Sequence, residues 1–110
     1  MAYDDDLADR VRAAIAGHDG VTEKPMFGAL GFLVNGNLAV SASSRGGLML
    51  RVDPGGLESL LAEDDVSPFE MRGREMHGWV HVAATDSTPD TELARWVAIG
   101  ATYAASLPAK

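Results

Sequence analysis

The stretch "REMHGWVHVAA", residues 74–84, sets His77 and His81 four apart around Trp79. Imidazole is the commonest metal ligand in proteins, and zinc holds each nitrogen at about 2 Å. On a helix this spacing would bring the two rings to roughly 6 Å. On a strand it leaves them roughly 13 Å apart along one face, too far to share an ion. Gly78 interrupts the segment, and Trp79, Val80, His81 and Val82 are strand formers. The segment therefore reads as strand, and no metal site is expected. The third histidine, His18, falls near the end of the first helix, where it answers the dipole.

Strand alternation implies another use. His77, Trp79 and His81 share one face, and Gly78, Val80 and Val82 share the other. With the valine side against helices, the outer face shows an amphipathic, partly aromatic row, and Met49 and Arg51 of an earlier strand join it. Large uncovered apolar patches usually serve contact. Met49, Arg51, His77, Trp79 and His81 are thus the expected partner-binding residues.

Catalytic chemistry is absent from the sequence. No serine or threonine sits in a nucleophile elbow, and neither glycine-rich phosphate motif occurs. Glu70 and Glu75 flank a "MRGR" turn and read as charge balance for Arg72 and Arg74. The run Asp4-Asp5-Asp6 reads as a helix cap and solvated turn, because nothing near it completes a calcium ligand set. A second reading groups Lys24, Arg51 and Arg72 as an anion-binding or small-molecule site, since guanidinium suits carboxylate and phosphate. No cofactor is expected.

The balance of charge narrows the classes further. The formal net charge is −7, which opposes binding to a nucleic-acid backbone. There are no cysteines, so disulfides, thiol chemistry and cysteine-based zinc sites are all excluded. The opening "MAYDDDLADR" is acidic, unlike a secretory signal, and no apolar run approaches a membrane span. A soluble cytoplasmic protein with no membrane contact is the expectation. At 110 residues the chain is expected to form a single domain, 1–110.

The elements that carry these residues follow from periodicity. Leu7, Val11, Ala14 and Ile15 form the stripe of a helix over about 3–16. Asn35-Gly36 between apolar runs predicts a hairpin joining strands near 26–34 and 38–43, with Gly28 and Gly31 inside the first. A third strand carries Leu48, Leu50 and Val52 inward. Asp53-Pro54 starts a second helix that ends near Ala62. Strands near 69–72 and 76–83 come next. Thr88 before Pro89 opens a last helix with Leu93, Trp96, Val97, Gly100, Ala104 and Leu107 on its stripe. The expected fold is α+β in two layers: a five-stranded, mainly antiparallel sheet with helices on one face, in the order α-β-β-β-α-β-β-α.

The segments "VTEKPMFGALGFLVNGNLAV", "LMLRV", "MRGREMHGWVHV" and "ELARWV" with "SLP" together resemble the amino-terminal domain family of the TfoX/Sxy competence regulators. The likeness runs from about Asp5 to Pro108. Its motif residues are Lys24, Met26, Phe27, Gly28, Asn35, Gly36, Arg51, Met76, Gly78 and Trp79. The resemblance implies an α+β fold and a regulatory association, since the longer members promote expression of DNA-uptake genes. It implies that their carboxy-terminal helical domain lies outside this chain, and it brings no catalytic assignment. Lys24 and Arg51 stand out, because neither a turn nor a core requires their charge. The function expected is a non-enzymatic regulatory or protein-interaction module, working through the outer sheet face on an unknown protein partner or as a homodimer.

Overall fold

Asp4 begins the first helix. Its carboxylate accepts the N–H groups of Asp6 and Leu7, at 2.9 and 3.2 Å, and so caps α1 (Asp5–Ile15). The computed structural model describes residues 3–26, 28–43, 46–71, 73–85 and 87–109, and of Met71, Glu75, Met76 and His77 the backbone alone. After α1 come β1 (Val21–Met26), β2 (Ala29–Val34), β3 (Asn37–Ala42) and β4 (Leu48–Arg51). A 3-10 turn (Pro54–Gly56) leads into α2 (Leu57–Leu61), followed by β5 (Val66–Met71), β6 (Arg74–Val82) and α3 (Asp90–Ser106). The strands form one six-stranded sheet in the order β1-β2-β3-β4-β6-β5, and every neighbouring pair is antiparallel.

The sixth strand is the difference from the expected five. Residues 21–26 read "VTEKPM", with little apolar content and a proline, so no alternation marks them. They form a strand at the sheet's edge, where one side of the backbone needs no partner and proline is tolerated. Gly28, placed inside a strand by the sequence reading, instead lies in the turn joining β1 to β2, at φ +76°. The other outer strand, β5, also contains a proline, Pro68.

Local chemistry explains the remaining elements. Asn35 and Gly36 both take positive φ, +53° and +84°, as a type I′ hairpin turn requires. Gly31 permits a close approach: a Cβ there would lie 2.9 Å from Leu38 Cδ1. The Asp53 carboxylate accepts the Gly55 N–H at 2.9 Å, and α2 ends at Leu61 as expected. Thr88 does not cap α3. Its hydroxyl accepts the Thr85 N–H at 3.0 Å, and Pro89 takes the N-cap position, accepting the Leu93 N–H through its carbonyl.

The core lies between the sheet and its helices. Phe32, Val40, Leu48, Leu50, Val80 and Val82 face Val11 and Ile15 of α1 and Trp96 and Val97 of α3. Each large aliphatic side chain so buried contributes about 1.5–3 kcal/mol. Leu57, Leu60 and Leu61 of α2 pack against the same cluster, and Glu63 just beyond α2 bonds to Arg95 of α3. All three helices therefore lie on one side of the sheet. Asn37 is the buried polar exception: its amide donates to the carbonyls of Ala104 (3.5 Å) and Pro108 (3.0 Å), tying the end of α3 to the start of β3. Arg10 of α1 donates to the carbonyls of Thr85 and Thr88 and to Asp90, fixing the loop before α3.

The tightest approach of helix to sheet is at Gly100. A Cβ there would fall 2.6 Å from the Ala39 carbonyl oxygen and 2.7 Å from Leu50 Cδ1. Gly→Ala in an exposed helix interior gains up to about 1 kcal/mol. Overpacking against fixed backbone costs about 1–3 kcal/mol, so the sign reverses here. Gly100→Ala is expected to lower the urea midpoint; an unchanged or raised midpoint would mean that α3 does not lie this close to β3.

Candidate functional site

The strand register defines what the bare side of the sheet displays. Lys24 pairs with Gly31, Gly31 with Ser41, Ser41 with Met49, Met49 with His81, and His81 with Ser67. Paired residues in an antiparallel sheet point to the same side. These positions therefore form a transverse row across all six strands, on the face opposite Leu50 and Val80. A parallel row carries Thr22, Leu33 and Leu38 on one half and Arg51 and Trp79 on the other. Among the described residues, no helix covers this open face.

Met26, Leu33, Leu38, Met49, Arg51, Trp79 and His81 are all partly exposed there. Four of the five expected partner-binding residues, Met49, Arg51, Trp79 and His81, thus share one face. The side chain of the fifth, His77, lies outside the described residues. Gly78 has φ +87°, so regular alternation is interrupted between His77 and Trp79. The stretch 74–82 is nonetheless a strand, which keeps the two histidines at extended rather than helical spacing. His81 Nε2 donates to the Gly46 carbonyl at 2.8 Å, so that nitrogen is not free for a ligand.

Arg51 is held in an unusual way. Its guanidinium carbon lies 5.3 Å from the centre of the Trp79 ring and 5.8 Å from that of Tyr103, on the last turn of α3. Cation–π attraction at such distances contributes about 0.5–1 kcal/mol at exposed sites and more where water is excluded. No salt bridge engages Arg51 or Lys24 among the described residues. Arg10, Arg12 and Arg95, all on helices, each bind a carboxylate: Asp90, Glu23 with Asp9, and Glu63 with Glu92 respectively.

Of the three residues of the alternative anion site, Lys24 and Arg51 do not come together. Lys24 is on β1 and Arg51 on β4, three strand spacings or about 14 Å apart across the sheet. Arg72 and Phe27 lie outside the described residues. A groove of about 610 Å³ runs along α3, lined by Ala98, Ile99, Thr102, Tyr103 and Ser106 with Asp53 and Arg95 at its sides. Its charged groups are spent: Asp53 caps Gly55, and Arg95 binds Glu63 and Glu92. Among the described residues, no three histidines or carboxylates stand close enough together to hold a metal ion.

Residues 13–104 match the family model of the TfoX N-terminal domain. The chain belongs to the TfoX N-terminal domain family. No curated protein and no solved structure matches it. Within this TfoX N-terminal domain the motif glycines act on the backbone: Gly28 and Gly36 turn hairpins, and Gly78 sits at positive φ in β6. Lys24, Met26, Arg51 and Trp79 lie on the open face. Sequence reasoning missed Leu33, Leu38 and Tyr103. The two leucines were within reach of period-two parity once β1 and the bulge in β3 were known. Tyr103 lies off the buried stripe of α3, and nothing in the sequence linked it to Arg51.

Electrostatics on the helix side is already paired. Glu23 is turned toward α1, and the Arg12 guanidinium, 2.6 Å away, holds its carboxyl below the usual carboxylate range. A lowered folded value stabilises the protein above the unfolded carboxylate range, and that contribution is lost as pH falls through the folded value. Glu23→Gln should therefore reduce the thermal midpoint at neutral pH, with the gap from wild type closing in acid. A gap independent of pH would assign the effect to packing instead.

Proposed function

We propose that this TfoX N-terminal domain is a non-enzymatic regulatory module that acts by protein–protein contact through the open sheet face. The observation that carries the reading is the cluster of partly exposed Met26, Leu33, Leu38, Met49 and Trp79 on a face without helices among the described residues. Tryptophan, tyrosine and arginine are the residues on which binding free energy concentrates at protein interfaces, and Trp79, Tyr103 and Arg51 adjoin here. Both edges of the sheet carry a proline, which disfavours recognition by strand addition and leaves the face as the available surface.

The regulatory half of the reading rests on the family. The anion or small-molecule alternative is supported less, because Lys24 and Arg51 stand far apart. No helix among the described residues is long and apolar enough to cross a membrane, and the reading places the protein in the cytoplasm, away from nucleic acid.

Affinity capture from the native host with wild type and Trp79→Ala tests this. Proteins retained by wild type and lost from the variant are expected, with both chains showing the same cooperative melting. Light scattering of the two chains tests the homodimer: a dimer dissociated by Trp79→Ala would make a second copy the occupant. Identical capture profiles together with a strictly monomeric wild type would remove the open face from the function.

A further inference from the structure

The open face differs from the rest of the molecule in the sign of its charge. The chain as a whole carries −7, and its described carboxylates gather on the helices and their loops. Asp4, Asp5, Asp6 and Asp9 belong to α1 and its cap, and Glu63, Asp64 and Asp65 follow α2. Glu23 belongs to the sheet but turns to the helix side, where Arg12 binds it. At the open-face positions fixed by the register of β1 to β4 with β6, the charged or protonatable groups are Lys24, Arg51 and His81. Glu70, at the β5 margin, lines a shallow pocket with Ser67, Pro68, Phe69 and His81 and is already engaged, so the cationic character centres on Arg51 and Lys24.

Arg51 is the centre of this asymmetry. Two aromatic rings flank the guanidinium, with centres 5.3 Å (Trp79) and 5.8 Å (Tyr103) from its carbon, and neither is an acid that would neutralise it. No carboxylate among the described residues pairs with it. A planar cation flanked by aromatic rings and unpaired with any described carboxylate suits a carboxylate ligand, which it binds with two parallel hydrogen bonds. The apolar side chains around it, Trp79, Leu38, Leu33 and Met49, would cover a hydrophobic residue next to that carboxylate.

Resting on the protein-contact reading above, we propose that the occupant of the open face is an acidic, apolar-anchored segment of a partner protein, whose carboxylate docks on Arg51 between Trp79 and Tyr103. A second copy of the chain fits poorly. A two-fold dimer through this face would gather Lys24 and Arg51 of both copies into one interface, and like charges collected there oppose association. Contact of the open face with the acidic helices of another copy would be head-to-tail and would not close on itself. Nucleic acid is opposed by the net charge.

The test is selection of a random-peptide display library on the full-length chain, followed by affinity measurements on the selected peptides. The expected result is enrichment of Asp or Glu beside aliphatic or aromatic residues. Those peptides should bind Arg51→Gln about tenfold more weakly and weaken with added salt. Arg51→Lys keeps the charge and the stem but loses the planar fork, and it should also bind more weakly. It serves as the reading variant if the melting curve of Arg51→Gln shows a fold defect. Peptides that lack acidic residues and are lost with Trp79→Ala but not with the Arg51 variants would overturn the acidic partner while leaving the docking face intact. A dimer broken by Trp79→Ala would do the same. Peptides indifferent to both positions, or no enrichment at all, would overturn both readings.

Discussion

Helix α3 can lie flat on β3 and β4 only because position 100 has no side chain. The Ala39 carbonyl and the Leu50 methyl occupy the space where a Cβ would stand. With the helix that close, Trp96 and Val97 reach the inner faces of the central strands and are fully buried. Its C-terminal end then falls beside the start of β3, where the Asn37 amide fastens it through two carbonyls. The same placement brings Tyr103 to Arg51. A contact made wholly within the core thus sets the geometry of Arg51, whose guanidinium at the end of β4 reaches the C-terminal end of α3.

The sheet divides the molecule electrically as well as sterically. On the helix side, arginines and carboxylates neutralise one another locally: Arg10 with Asp90, Arg12 with Glu23, Arg95 with Glu63. Exposed pairs of this kind contribute little stability each, about 0–1 kcal/mol. Their effect is on what is left over. The surplus of the helix layer is negative, while the described centre of the open face has cations and hydrophobic groups without counterions. Arg51 is flanked by aromatic rings, and no carboxylate among the described residues pairs with it.

Much of this architecture is legible in the sequence, because it is written in local rules. The aspartate run before an apolar stripe and Asn35-Gly36 between strands each specify their element through backbone chemistry and are found as read, while Asp53-Pro54 opens a 3-10 turn that leads into α2, whose own N-cap is Gly56. The alternation around Trp79 also places Met49, Arg51, Trp79 and His81 together. What escaped is what the tertiary environment decides. Strand β1 has almost no hydrophobic signal, since an edge strand buries little, and its polar, proline-containing sequence reads as loop. Gly28 consequently reads as strand, whereas it stands in the β1–β2 turn at positive φ. The approach of Tyr103 to Arg51 depends on where α3 stops and how deeply it seats, and neither periodicity nor composition encodes that distance.

The prolines at the two margins of the sheet bear on how such a molecule survives crowding. A domain that leaves a broad hydrophobic surface bare risks ribbon growth, in which each molecule extends the backbone ladder of the one before. Pro25 and Pro68 interrupt that ladder at its two open ends. Stickiness is thereby confined to side chains, whose contacts are selective and reversible, and denied to the main chain, whose hydrogen bonds would accept any extended neighbour.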